Sequence, residues 1–298
     1  MEEKKPFTWA ILSSFILKIM AIVFMTIDHV GAMLEMYGAG PLALTDAFRY
    51  IGRLALPLFC FMLAEGIKHT KKPGQYFLRL GIIGTAISIA MVVIEYAPIF
   101  DGMSLRRDGN IFIDLLLGAL AIYLLSNKKW YIKILTILPV AFSILSFVVT
   151  TLEEGENIII HWFPFFIRMQ YHCYSMAMIL LFYLIRYPVK WFLQTYSSNS
   201  GIPVESLEGT NVERYTFNIF SALVVVVTTL VFFLFQMAMP EQYVFWDWGF
   251  QNFAMVSGAF LLLYSGKRGY NAKWFQYGCY LYYPLHLILI YVIGMLIF

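Results

Sequence analysis

Nine stretches of roughly 17 to 24 mostly apolar residues follow one another along this chain, separated by short charged or Gly-, Pro- and Asn-containing breaks. A helix needs about 20 apolar residues to cross a bilayer, and in lipid every backbone amide must be bonded within the protein. The chain is 60% hydrophobic and 13% charged, whereas soluble domains average roughly 45–50% and 25%. The sequence therefore predicts an all-α fold, a polytopic transmembrane helical bundle. The nine predicted spans are 15–36, 48–67, 76–97, 110–126, 131–150, 172–193, 215–238, 248–265 and 276–297.

Lysine and arginine residues are concentrated in alternate connections between these spans. Cytoplasmic loops of membrane proteins carry an excess of both residues, so we expect a multi-pass protein with a cytoplasmic N-terminus. The loop 101–109 is an exception, because Arg106 and Arg107 fall on the outer side. We expect residues 1–298 to form a single domain with a flexible polar cytoplasmic loop near 195–214.

The composition argues against two other kinds of site. The net charge of +3 is too small to indicate a nucleic-acid partner. The five histidines show no H-x-x-x-H spacing and the cysteines form no C-x-x-C pair, so we expect no metal site. We interpret Cys60, Cys173 and Cys279 as buried apolar residues.

The first predicted span contains Lys18, Asp28 and His29. Charged and titratable groups are costly inside a membrane, so each of them is a functional candidate. If the Lys18 ammonium reaches the inner surface, His29 lies roughly 16 Å deeper, at about 1.5 Å per residue, near the midplane. A histidine can accept and release a proton near neutral pH, which makes His29 a candidate general base.

Asp28 cannot orient the imidazole of His29 directly, because adjacent side chains on a helix do not face each other. We expect Asp28 to bind Arg49 or Arg53, at the outer start of the second span. Two interpretations stay open. The dipeptide belongs to a catalytic centre, or it supplies a structural Asp–Arg pair with His29 hydrogen-bonded inside the bundle.

The second and fourth spans contain three further notable residues. Pro57 is expected to kink the second span. Glu65, near the inner end of the same span, is expected to pair with a cation. Asp114, one turn into the fourth span, is a candidate for the same cavity as Asp28.

Three other histidines lie further along the chain. His286 falls in the last span, where a lone histidine is more often packed than catalytic. His161 and His172 flank an aromatic segment, 158–171, that is too short and too interrupted by proline to span a membrane. We expect this segment to be interfacial or re-entrant and both histidines to face water or lipid headgroups.

Two neighbouring blocks, LKIMAIVFMTIDHVG (17–31) and RYIGRLALPLFCFMLAEGIKHT (49–70), resemble the signature of the TraX family. The similarity continues through YFLRL (76–80) and NIFIDLLLG (110–118), and it returns at YYPLH (282–286). The namesake of that family acetylates the N-terminus of a conjugative pilin. The resemblance implies a multi-pass acyltransferase of a bacterial plasma membrane, with acetyl-CoA as co-substrate and no metal.

Carried onto this chain, the resemblance places His29 and Asp28 in the catalytic centre and Arg53, Glu65 and Asn110 along the substrate site. The chain departs from the family pattern after the third-span RL, where it lacks an acidic residue and a Pro-Phe-Asp group. These departures bear on the acceptor, which we expect to be a peptide N-terminus, a sugar or a lipid. The full set of substrate-binding candidates is Arg53, Glu65, Asn110, Asp114, Arg106, Arg107 and His286.

The phosphates of acyl-CoA require positive charge on the cytoplasmic side. We expect Lys68, Lys72 and Arg79 to bind them, although ordinary membrane topology explains the same residues equally well. The acceptor amine or hydroxyl would then lose its proton to His29 and attack the thioester.

A proton-coupled transporter or flippase is the alternative, because buried Asp28, His29 and Arg53 beside a kinked helix suit proton movement as well. Transporters commonly have paired halves, and the sequence shows no internal repeat. A non-catalytic membrane partner or immunity protein would need no buried Asp-His pair.

Overall fold

The computed structural model describes residues 9–97, 108–241 and 248–297. In those ranges the chain is mainly helical and contains no β-strand, which confirms the all-α prediction. Short 3₁₀ helices cover Phe165–Ile167 and Asn252–Val256. The α-helices are α1 (Ser14–Met36), α2 (Leu42–Gly52), α3 (Ala55–His69), α4 (Pro73–Tyr96), α5 (Ile111–Leu125), α6 (Trp130–Ile134), α7 (Ile137–Glu156), α8 (His172–Leu184), α9 (Arg186–Ser200), α10 (Val204–Leu207), α11 (Asn211–Met237), α12 (Trp248–Gln251), α13 (Ser257–Leu262) and α14 (Lys273–Ile297).

Seven helical segments of the described chain are long and apolar enough to cross a membrane, as in a polytopic membrane protein. They coincide with seven of the nine predicted spans. The other two predicted spans, 110–126 and 248–265, correspond to the shorter apolar helices Ile111–Leu125 and Gly249–Leu262. The cytoplasmic placement of the N-terminus stays a prediction.

The second apolar segment, Leu42–His69, is broken into α2 and α3 at Arg53 and Leu54. Pro57 explains the position of this break. It has no N–H to bond the carbonyl of Arg53, four residues earlier, and its ring would collide with that carbonyl in a continuous helix. The kink predicted from Pro57 is therefore confirmed.

The segment that contains α3 lies at the centre of the bundle. In the most apolar part of Leu42–His69, 61% of the residues are buried, whereas the values for the other long segments run from 17% to 39%. Helices α1, α5 and α8 pack around α3, and buried side chains of all four join one apolar cluster. Cys60 is buried in that cluster, as predicted, while Cys173 and Cys279 are only partly buried.

Helix α14 packs along α1, and the two helices run in the same direction. Their first turns and their last turns are therefore brought together in matching order, so that residues far apart in sequence become neighbours. From the N-terminal end onwards, the contacts join Lys18 with Phe275, Thr26 with Tyr282, His29 with His286, and Met33 with Gly294.

The aromatic segment 158–171 is not a continuous helix, and its last residues fold against α5 and α7. The guanidinium group of Arg168 binds both carboxylate oxygens of Glu153, at 2.5 and 2.8 Å, and Arg168 is only 2% exposed. The carboxylate of Asp114 accepts the backbone N–H groups of residues 170 and 171. Buried side chains thus bond an irregular backbone, which is the condition for a re-entrant segment.

The histidines that flank this segment differ from each other. His161 is exposed, as predicted. The prediction for His172 is wrong, because His172 is 2% exposed and its Nδ1 lies 2.9 Å from the hydroxyl oxygen of Ser146. Ser146 also accepts the backbone N–H of Met169, so His172 belongs to the polar contacts that fix the segment.

The polar stretch 195–214 is not a loop throughout, in contrast to the prediction. Helix α9 continues to Ser200 and ends at Gly201, which has a left-handed φ of 72°. Helix α10 and the start of α11 also lie within the stretch. These short helices are held by a small apolar cluster of Val189, Leu193 and Leu207.

Candidate active site

His29 on α1 and His286 on α14 form a hydrogen-bonded pair. Nδ1 of His29 lies 2.7 Å from Nε2 of His286, and the stacked rings have centroids 5.0 Å apart. His286 is 4% exposed, and its Nδ1 lies 2.8 Å from the carbonyl oxygen of Tyr282. His286, which we expected to be a packed histidine, therefore forms a hydrogen bond directly with His29, the predicted base.

Aromatic rings surround this histidine pair. The Tyr282 ring stacks on His286 with centroids 4.9 Å apart and planes 4° apart. The Tyr283 ring meets both imidazoles edge-on, 5.6 Å from His286 and 6.2 Å from His29. Tyr283 also packs edge-on against Phe112 of α5, at 4.9 Å. Surroundings of low polarity strengthen the hydrogen bonds within the pair.

Asp28 binds both arginines that were considered as its partner. Its Oδ1 lies 3.0 Å from Nη1 of Arg49 and 3.5 Å from Nη2 of Arg53. The three side chains are 14% to 22% exposed, so the cluster is mostly enclosed. Asp28 directly precedes His29 on α1, so the two guanidinium groups bound to Asp28 lie near the histidine pair. The predicted Asp–Arg pairing is confirmed, and positive charge is placed beside the histidine pair.

Two glycines bring α1 and α2 close enough for these ion pairs. A Cβ at Gly31 of α1 would lie 2.8 Å from Cβ of Phe48, and Gly52 of α2 lies directly against Asp28. Arg49 and Arg53 are four residues apart, which puts them on one side of the α2 end. Each motif, IDHVG and IGR, thus combines a polar side chain with the small residue that lets the facing helix approach.

Glu65 lies near the other end of α3 and pairs with a cation, as predicted. Its Oε1 is 3.3 Å from Nη2 of Arg186, and its Oε2 is 3.8 Å from the imidazole Nε2 of His69. Glu65 lies about three helical turns beyond Arg53 along the chain. The contacts of Glu65 thus place it at the end of α3 away from the Asp28 cluster.

Asn110 is fully buried and joins α4 to α5. Its side-chain oxygen accepts the backbone N–H of Phe112, which caps α5. Its amide nitrogen donates to the carbonyl of Gly84 at 2.7 Å and to the hydroxyl of Ser88 at 3.0 Å. These contacts give Asn110 a positioning role, and its role in substrate binding stays a prediction.

Asp114 is also fully buried, and both of its oxygens are bonded. They accept the backbone N–H of Gln170 at 2.6 Å and of Tyr171 at 3.0 Å, together with the hydroxyl of Ser175 at 2.5 Å. The carboxylate therefore anchors the chain where α8 begins. Its predicted role in substrate binding is not tested by these contacts.

The cationic candidates lie around the α3–α4 connection. Lys68 and Lys72 are exposed. Arg79, in the second turn of α4, lies 3.4 Å from the hydroxyl of Tyr277 and 5.2 Å from the centre of that ring. Arg79 and Lys18 thus reach the first two turns of α14 from opposite helices, α4 and α1.

Two predicted site residues, Arg106 and Arg107, lie outside the described residues. Within the ranges that the structure describes, no group of three or more His, Cys, Asp or Glu side chains is arranged to hold a metal ion.

Two tyrosines beside the histidine pair were not predicted. Tyr282 and Tyr283 stand in the YYPLH motif next to His286, and that adjacency is a signal in the sequence. Tyr171, whose backbone N–H donates to Asp114 at 3.0 Å, was not predicted either, and nothing in the sequence links it to α5.

Comparison with known proteins identifies the family. The model of the TraX protein family matches residues 13–200, which include Asp28 and His29 but not His286. The probable fimbrial assembly protein FimC, serogroup H1, of Dichelobacter nodosus is 30% identical over 119 residues, 39% of this chain and 48% of the relative. The chain thus spans about half the length of the curated relative it matches. No solved structure matches. Because the family model covers more than half of the chain, this protein belongs to the TraX family.

Proposed function

We propose that this protein is a membrane-bound acyltransferase that moves an acetyl or other short acyl group from acyl-CoA to an amine or hydroxyl. The observation that carries the proposal is the hydrogen-bonded His29–His286 pair beside Asp28, Arg49 and Arg53. A general base next to fixed positive charge is the arrangement that acyl transfer needs.

His29 is the base in this mechanism. It takes the proton of the acceptor N–H or O–H while the acceptor atom forms a bond to the thioester carbonyl carbon. The oxyanion that develops is stabilised by the guanidinium groups of Arg49 and Arg53, which Asp28 holds in place. The carbon–sulfur bond then breaks, and the leaving thiolate takes the proton from His29. The products are the acylated acceptor and free CoA.

Acyl-CoA approaches along α14 in this proposal. Lys68, Lys72 and Arg79 bind its phosphates, with Lys18 nearby on α1. From Tyr277 to His286 is nine residues, or roughly 14 Å along α14. The extended pantetheine arm would follow this helix to the histidine pair.

The acceptor in this proposal is the N-terminus of a fimbrial or pilin-like subunit. The name of the Dichelobacter nodosus relative, a probable fimbrial assembly protein, supports this choice, as does the family resemblance. Arg106 and Arg107 are the candidates for binding an anionic acceptor on the outer side. The same bacterial relative supports a bacterial plasma membrane as the location.

A proton-coupled transporter or flippase is the second candidate. It is favoured by the placement of His29, His286 and the Asp28–Arg49–Arg53 cluster on apolar helices, since intramembrane titratable groups commonly form proton pathways. The two candidate functions differ in whether acyl-CoA is converted to free CoA.

The test is release of free thiol from acetyl-CoA by the purified protein, with membrane extract and synthetic peptide N-termini as acceptors. We expect thiol release by the wild type and by His161→Ala, whose side chain is exposed, and none by His29→Ala. The proposal fails if the wild type releases no thiol and acetyl-CoA leaves its thermal unfolding unchanged. Mass shifts in the acceptors identify the group that is acylated.

A further inference from the structure

We propose that His286 is a positioning residue, which fixes the tautomer of His29 so that Nε2 of His29 is the basic atom. The inference rests on the proposed function for its catalytic meaning, but the proton positions can be measured without any activity. Two hydrogen bonds carry it, one from His286 to a backbone carbonyl and one between the two imidazoles.

The chain of hydrogen bonds begins at the carbonyl oxygen of Tyr282. A carbonyl oxygen can only accept, so Nδ1 of His286, at 2.8 Å, must be the donor. A neutral imidazole has one N–H, so Nε2 of His286 then holds a lone pair. That lone pair faces Nδ1 of His29 at 2.7 Å, and Nδ1 of His29 must therefore donate. Nε2 of His29 is left with the lone pair that can accept a proton.

A second hydrogen bond between α1 and α14 fixes the register of the two helices at the histidine pair. The hydroxyl of Thr26 donates to the carbonyl of Ile22 at 2.8 Å, in the usual manner of threonine on a helix. The same oxygen lies 2.8 Å from the hydroxyl of Tyr282, so Tyr282 is the donor there. Thr26 therefore joins α1 to α14 one turn before the histidine pair, through hydrogen bonds to Ile22 and Tyr282.

The geometry provides a matched pair of variants. In His286→Gln the side-chain oxygen reaches about as far as Nε2 of the imidazole and can still accept from Nδ1 of His29. In His286→Asn the shorter side chain reaches only to the position of Nδ1 and cannot. We expect His286→Gln to keep thiol release within about threefold of the wild type. We expect His286→Asn to lose roughly 10- to 100-fold, the usual effect of removing a partner that orients a histidine.

The decisive readout is the tautomer itself. The protein labelled with ¹⁵N-histidine has five histidines, and His29→Ala assigns the resonances of His29 by their disappearance. In lipid nanodiscs, solid-state NMR is expected to show His29 protonated at Nδ1 in the wild type and in His286→Gln. In His286→Asn we expect a shift towards protonation at Nε2.

Thr26→Val is the control for a loosened α14, because it removes a different contact between the helices, the hydrogen bond from the hydroxyl of Tyr282. We expect it to leave the His29 tautomer unchanged. The inference is overturned if wild-type His29 carries its proton on Nε2, or if His286→Gln and His286→Asn lower activity equally in proteins with the wild-type melting temperature. If the wild type neither releases thiol nor is stabilised by acetyl-CoA, the proposed function fails, and the NMR result still decides the positioning role.

Discussion

Gly52 of α2 lies against Asp28 of α1 so closely that a Cβ at position 52 would be 2.1 Å from Cβ of Asp28. Real carbon–carbon contacts of this kind are never so short. The missing side chain of Gly52 thus allows α2 to reach the ion pairs of Asp28 with Arg49 and Arg53. The glycine of the IGR motif is required by packing at the site.

We therefore expect Gly52→Ala to push α2 away from α1. Inserting a methyl group into a tightly packed contact costs about 1–3 kcal/mol, which outweighs the gain of up to about 1 kcal/mol from the higher helix propensity of alanine. Thermal unfolding in detergent should show a lower melting temperature, together with lower thiol release. Gly278→Ala is the control, because no heavy atom lies within 4 Å of a Cβ there. Equal melting temperatures for the two variants would contradict the packing argument.

Asp28→Asn should destabilise the protein and weaken catalysis together. The amide keeps one acceptor oxygen but loses the charge that holds Arg49 and Arg53. Hydrogen bonds to charged groups contribute about 1.5–3 kcal/mol each, so we expect a loss of that order in the free energy of unfolding. Glu35→Gln is the matched control, since Glu35 contacts Arg49 at 3.7 Å but is 62% exposed. It should cost less than about 1 kcal/mol. An equal loss of unfolding free energy in both variants would show that the enclosed Asp28 ion pairs stabilise the protein no more than the exposed Glu35–Arg49 contact does.

Much of the arrangement around Asp28 follows from local rules and could be predicted from the sequence. Apolar runs locate the long helices, a proline breaks the helix one turn before itself, and two neighbours on a helix cannot face each other. These rules gave the break at Arg53 and the Asp–Arg pairing. Both involve residues that are no more than 25 positions apart.

The partnership of His29 and His286 could not be predicted in the same way, because it depends on which helices are neighbours. The two residues are 257 positions apart. Helical periodicity shows which side of a helix is apolar, and it does not show which helix will cover that side. The same limit applies to Tyr171, and also to Asp114, whose partners lie 56 to 61 positions away.

Asp114→Asn tests whether that residue anchors α8 or binds substrate. The amide NH₂ must replace one of two oxygens that face N–H or O–H donors, so we expect a loss of about 1.5–3 kcal/mol in the free energy of unfolding. The folded fraction should keep its KM for the acceptor. Glu205→Gln, at an exposed position, should change stability by no more than about 0.5 kcal/mol. A raised KM without a change in stability would instead assign Asp114 to the substrate site.

Arg79→Gln should weaken the binding of acyl-CoA without changing the chemical step. Arg79 contacts Tyr277 at the start of α14, about 14 Å along that helix from His286. In the proposed binding mode its charge therefore acts on the CoA phosphates and not on the reacting carbonyl. Loss of one charge-assisted contact corresponds to roughly a tenfold rise in KM for acetyl-CoA, with kcat nearly unchanged.

Lys190→Gln is the charge-matched control for that variant, because Lys190 is an exposed cation on α9 and ordinary membrane topology explains its position. We expect its KM to equal that of the wild type. Added salt should raise the KM for acetyl-CoA of the wild type more than that of Arg79→Gln. Salt screens the attraction between Arg79 and the phosphates, and the variant lacks that attraction. If both variants raise KM equally, the basic residues act only through the overall positive charge of that side of the protein. The proposal that Arg79 binds the CoA phosphates is then wrong.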